Sequence, residues 1–150
     1  MDVDLMQKKM RVHEACVATL MQRKEGLLAE LRNFQDAANN ETKSSAGDKY
    51  ETGRAMMHLE KEKVAGQLDQ VLKMEQVIRG IKPEKELDKA ALGSLIKTEN
   101  GHFFLSVSLG AVDGVVCLSP VAPLGQALLN ATPGDKVSFQ GRTFDILEVI

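Results

Sequence analysis

Tryptophan is absent from this chain, tyrosine occurs once, and aromatic residues fill only 4% of its 150 positions. With 43% hydrophobic residues but few large rings, the chain suits one globular domain or two small units with a modest core. Cysteine is scarce too. Cys16 and Cys117 stand about a hundred residues apart with no CxxC pair, so neither a disulfide framework nor a zinc ribbon is expected, and a reducing compartment fits. Charge of one sign is also missing. The formal net charge is −2, with 14 basic against 13 acidic residues in 1–82 and 5 against 8 in 83–150. Neither half is a basic patch, which argues against independent DNA binding or attraction to an anionic membrane. The amino terminus, MDVDLMQKKM, begins acidic without an apolar h-region, and nowhere do about eighteen apolar residues run together. The expectation is a soluble, cytoplasmic protein with no membrane contact.

What the chain does have is periodicity. Met6, Met10, His13, Val17, Leu20, Lys24, Leu27, Leu31, Phe34 and Ala38 follow one another in steps of four and three, the a/d seam of a helix that packs on another helix. Only His13 and Lys24 are polar in it. The seam resumes at Met57, Val64, Leu68, Val71 and Ile78. A short connection makes antiparallel neighbours, so residues 1–82 are predicted to form an antiparallel coiled-coil hairpin, a rod on the order of 60 Å long projecting from the rest. Gly80, for a left-handed cap, and Pro83 supply the stop.

From Leu92 the period changes. In "SLIKTENGHFFLSVSL", Asn100 and Gly101 separate two strand-like runs as a two-residue turn does. "GVVCLS" is a further apolar run, "PLGQALL" is a short helix opening on Pro123, and "KVSFQGRTFDILEV" is a hairpin around Gly141. Residues 83–150 therefore form a small α+β domain, and the fold class of the whole is α+β.

Between the helices lies "SSAGDKYETGRAM", beginning at Ser44, with Asp48 and Glu51 three positions apart at the tip of the predicted hairpin, near 44–54. Asp at an N-cap with Glu at the third helical position is a capping box, worth ~1 kcal/mol. The alternative is that the two carboxylates are lent to a metal held mainly by another macromolecule. Mg²⁺ suits that role, since one or two carboxylates with water and phosphate commonly suffice for it.

The stretch "GDKYE" resembles the GD..E element at the coiled-coil tip of the Gre-type bacterial transcript cleavage factors. The run "LSPVAPLGQALLNATPGDKVSFQGRTFDILEVI" is similar to their FKBP-like carboxyl-terminal domain. The resemblance covers almost the whole chain in the family's order. It implies a transcription elongation factor that is not itself an enzyme. Such a factor binds bacterial RNA polymerase in the secondary channel and stimulates the polymerase's own cleavage of backtracked RNA, with the RNA 3′ end near the tip. By the same resemblance Asp48 and Glu51 are the catalytic and metal-binding acids. They help hold a second Mg²⁺ shared with the polymerase active site, none being bound by the free protein. Pro123, Leu124 and Gly125 match the partner-binding turn at the channel rim.

The sequence departs from the family after the second acid. Where an Asn-Ala-Glu-Tyr continuation is usual, Thr52, Gly53, Arg54 and Ala55 follow Glu51, so an acid gives way to Arg54, and the aromatic residue, Tyr50, comes before. Gly53 is expected to loosen the start of the second helix by about 1 kcal/mol relative to Ala. Two other readings therefore stand beside cleavage stimulation: a secondary-channel regulator without cleavage activity, and a coiled-coil adaptor unrelated to polymerase. His13 reads as a tolerated seam or surface residue, His58 and His102 as isolated. Met56, Met57 and Met74 read as gap fillers between helices, and both cysteines as inert packing thiols. Phe103, Phe104, Phe139 and Phe144 are too few for an aromatic-lined prolyl pocket, so isomerase activity is not expected.

Overall fold

The computed structural model describes the backbone of residues 3–41 and 47–150, and the side chains of 3–39 and 52–150. Helix α1 runs Val3–Glu41 and α2 runs Gly47–Gly80. Both lack proline, and their composition is dominated by Leu, Met, Ala, Gln, Glu, Lys and Arg, the residues that lose least on entering a helix. Then come β1 (Leu95–Thr98), β2 (Gly101–Leu105), β3 (Gly110–Val112), β4 (Val115–Leu118), α3 (Pro123–Leu128), β5 (Lys136–Phe139) and β6 (Arg142–Val149). The architecture is a helical hairpin followed by a small mixed-sheet domain, α+β as the sequence predicts. The chain divides into two compact units, Thr19–Glu75 on one hand and Met1–Ala18 with Gln76–Ile150 on the other.

In the unit formed by 19–75 the predicted seam is present. Leu20, Val64 and Val71 are buried and Leu27, Leu31, Phe34, Ala38, Met57 and Leu68 half-buried. Lys24, one of the two polar seam positions, has its partner in Glu75: Nζ lies 3.0 Å from Oε1 and 2.9 Å from Oε2. That pairing of 24 with 75, and the groove that Phe34 and Ala38 share with Met57 and Lys61, run the two helices antiparallel. Met56 does not fill a gap between them. It is 64% exposed, because it lies one position off the Met57 stripe.

The other unit holds a six-stranded sheet in the order β3-β4-β2-β1-β6-β5. Only β2 and β4 pair in parallel; every other neighbouring pair is antiparallel. Side chains alternate across a strand. One face carries Ile96, Phe103, Leu105, Leu118, Phe144 and Ile146 into a core closed by Leu128, Ala131 and Ala90. The other face carries Phe104 and Cys117, which meet His13 and Cys16 of α1. This second face explains why the base of α1 departs from the predicted seam. Its buried residues are Leu5, Lys9, Val12 and Cys16, whereas Met10 is 41% exposed. Here the helix buries the stripe that the sheet domain covers, one position away from Met6, Met10, His13 and Val17.

Local chemistry also shapes the turns and the end of α2. The β1–β2 turn consists of Glu99 and Asn100, with Thr98 opposite Gly101, not of Asn100 and Gly101. The Thr98 hydroxyl accepts from the Asn100 amide at 3.1 Å and donates to the Gly101 carbonyl at 2.9 Å, closing the turn one residue early. Strand β3, unpredicted, forms a hairpin with β4 through Asp113 and Gly114, both at positive φ, 52° and 75°. That is the geometry an Asp-Gly turn favours. The expected β5–β6 hairpin turns at Gln140 and Gly141, with φ of 51° and 77°. Gly80 ends α2 without the left-handed φ expected of a glycine cap. Near that end Ile78 O accepts both from Ile81 N at 3.3 Å and from His13 Nε2 at 2.8 Å.

Candidate functional site

Asp48 and Glu51 are the second and fifth residues of α2 by their backbone, three positions apart and so on one side of the helix. Their side chains lie outside the described residues, as does the side-chain arrangement that a capping box requires. Both positions are already helical, where carboxylates are favoured by the helix dipole and by free backbone N–H groups. As hard oxygen donors they suit Mg²⁺, and two carboxylates alone leave most of its coordination to other ligands. Among the described residues no group of three or more His, Cys, Asp or Glu side chains could hold a metal ion.

Just beyond these acids, Arg54, His58 and Lys61 line one side of a groove of about 520 Å³ whose floor is Phe34, Ala38 and Met57. The three basic residues recur at helical spacing on α2, so the side chains that follow the acids present nitrogen donors rather than a further carboxylate. His58 also pairs with Glu62, Nε2 to Oε1, at 3.1 Å.

The second candidate is the turn ahead of α3. Its backbone is fixed from several sides. Ser119 N donates to Ser108 Oγ at 3.1 Å, Ala122 N to Ser119 O at 3.0 Å, Val121 N to Ser119 Oγ at 3.2 Å, and Gln126 Nε2 to Val121 O at 2.8 Å. Pro123 occupies the first helical turn, where its missing N–H costs nothing. Pro123 is exposed, Leu124 packs partly against the sheet core, and Gly125 is buried. Gly125 serves close approach: a Cβ there would lie 2.0 Å from Ser119 O and 3.1 Å from Pro120 Cα. The structure thus brings the three sequence-matched residues together but gives them different parts, with Pro123 facing outward and Gly125 setting the turn. Sequence reasoning missed Val121, which is 76% exposed at the crest of the turn. An apolar residue held between Pro120 and Pro123 was the available signal.

The remaining histidines and lysines have structural surroundings. His13 stacks edge-on to Phe104, with ring centroids 6.5 Å apart, and is neither free seam nor surface. Burial, with Lys8 and Lys97 nearby, lowers the His102 pKa from its ordinary value. Lys9 is fully buried, and its Nζ donates to Lys85 O at 2.7 Å. Burial pushes its pKa down to about 8, against the pull of Glu84 and Glu86.

Among the described residues no helix is long and apolar enough to cross a membrane. No protein-family model matches the chain, and no curated protein matches it significantly. Among solved structures it is similar to the "Structure of the transcription factor Gfh1", at 22% identity, over 90% of this chain and 93% of that chain, with a TM-score of 0.39.

Proposed function

We propose that this chain is a Gre-type transcription factor that binds bacterial RNA polymerase in its secondary channel and stimulates cleavage of backtracked RNA. One observation carries the reading. An antiparallel hairpin whose second helix opens on Asp48 and Glu51 is followed by a sheet domain bearing the rigid, outward Val121–Pro123 turn. Two acids on one side of α2 near its start suit delivery of negative oxygen donors to a cation that the partner already holds in part. Magnesium shared in this way would activate the attacking water and stabilise charge in the displacement. In this reading the chain's own contribution is positional. Asp48 and Glu51 supply carboxylate oxygens near the RNA 3′ end, and the turn at Pro123 supplies contact at the rim. The chain is then no enzyme by itself.

The test is cleavage of a stalled, backtracked complex by the full chain and by Asp48→Asn and Glu51→Gln. Asn caps nearly as well as Asp, and Gln replaces Glu in a capping box. Helix stability should therefore change by only a few tenths of a kcal/mol, while cleavage should slow roughly a hundredfold. Variants that cleave as fast as the parent would leave both acids only a stabilising role near the start of α2. The basic run Arg54, His58 and Lys61 beside the groove favours a second reading, a channel regulator without cleavage activity. A parent that is retained on core polymerase in a pull-down, yet never accelerates cleavage, selects it. No retention at all selects the adaptor reading.

A further inference from the structure

The two cysteines read from sequence as unrelated packing thiols are neighbours in space. Cys16 Sγ on α1 and Cys117 Sγ on β4 are 3.5 Å apart, both in the unit formed by 1–18 and 76–150, at 0% and 1% exposure. No other cysteine competes for either one. The sulfurs are in direct contact, and a disulfide needs them to close by about 1.5 Å more. We propose that Cys16 and Cys117 form a reversible disulfide when the protein meets a peroxide, a bond that ties the base of α1 to β4.

The chemistry assigns a direction. The contact between the two sulfurs lowers the Cys16 pKa from its ordinary value, while the same contact and burial raise that of Cys117. The thiolate is the nucleophile. Cys16 sulfur attacks one peroxide oxygen, the O–O bond breaks, and the departing hydroxide takes a proton to leave as water, giving a sulfenic acid on Cys16. Cys117 sulfur then attacks Cys16 sulfur, the S–O bond breaks, and the hydroxide takes the Cys117 proton to leave as a second water. Two thiols are oxidised by two electrons to one disulfide, and one hydrogen peroxide is reduced to two waters. Both sulfurs are covered, so peroxide enters during local opening of the α1 base. Closure of the bond holds that base down and encloses the intervening chain, hairpin tip included, in one covalent loop. A bond closing so long a loop removes freedom mainly from the unfolded chain.

The test uses the full chain, reduced and desalted, then exposed to hydrogen peroxide, unfolded and alkylated with iodoacetamide. Peptide mapping reads the cysteines separately from any methionine oxidation. The expected result is joint loss of both alkylation sites and a linked Cys16–Cys117 peptide in monomeric protein. The melting temperature should rise by about 5–10 °C, and dithiothreitol should reverse both changes. Cys16→Ala and Cys117→Ala should show no such rise under peroxide. The comparison of oxidised with reduced parent stands even if a variant folds poorly. Thiols that stay fully alkylatable, sulfinic acid in place of the bond, a disulfide joining two chains, or a bond that lowers the melting temperature would each overturn the proposal.

Discussion

At the residue scale, the side chains that matter most are those held by one unusual contact. Gly125 has no room for a methyl group against Ser119 O. Gly125→Ala should cost about 3 kcal/mol in urea unfolding through displacement of the Ser119–Pro123 backbone, and on the proposed function should weaken polymerase binding with it. Lys9 offers a pH test. Its folded pKa of about 8 lies below the usual 10.5, so between those values the unfolded chain holds the proton that the folded chain has released. Stability should therefore rise with pH across that window, by at most ~3 kcal/mol, and be lower by that amount below pH 8. Lys9→Met should remove this part of the slope, measured as the difference between variant and parent urea midpoints. The sequence named Gly125 only as part of a partner-binding turn, not as a point of close packing, and did not single out Lys9. Lys9 reads there as one of many surface lysines, and its burial follows from a carbonyl supplied 76 positions later by Lys85.

At the element scale, the helices were the most legible part, because a seam in steps of three and four states both the helix and the need for a partner. It failed at the base of α1, where a second surface competes. A pair of substitutions measures this. Val12→Ala should cost about 1–3 kcal/mol, as for a methyl-bearing side chain removed from a fully buried site. Met10→Ala, on the predicted seam but 41% exposed, should cost under about 1 kcal/mol. Equal losses in thermal or urea unfolding would restore the predicted register. Further along, Leu27→Asp or Leu68→Asp should visibly lower helicity and melting temperature, since each sets a charge in the half-buried seam. The strands were legible where alternation ran for four residues or more. Strand β3, of three residues, is too short to show a period, and the β1–β2 turn was displaced because the Thr98 hydroxyl does work that the Asn-Gly signature was expected to do.

At the scale of the whole molecule, the two compact units do not follow the chain in order. Residues 1–18 belong with 76–150, and 19–75 lie between them in sequence. A fragment of 83–150 should consequently melt without cooperativity, since Phe104 and Cys117 lose His13 and Cys16. A chain joining 1–18 to 76–150 through a short Gly/Ser linker should melt cooperatively and, on the proposed function, compete weakly for core polymerase. A folded linker variant that shows no competition at high excess would remove docking from this unit. The order of assembly during synthesis follows from the same discontinuity. Leu5, Val12 and Cys16 leave the ribosome about a hundred residues ahead of Cys117, and β1 cannot be enclosed between β2 and β6 until residues 146–149 are made. At synthesis rates of about 5–20 residues per second, that apolar stripe waits uncovered for on the order of ten seconds. The base of α1 is thus the natural point of capture for a chaperone, and the unit formed by 19–75 can be complete while that stripe is still uncovered.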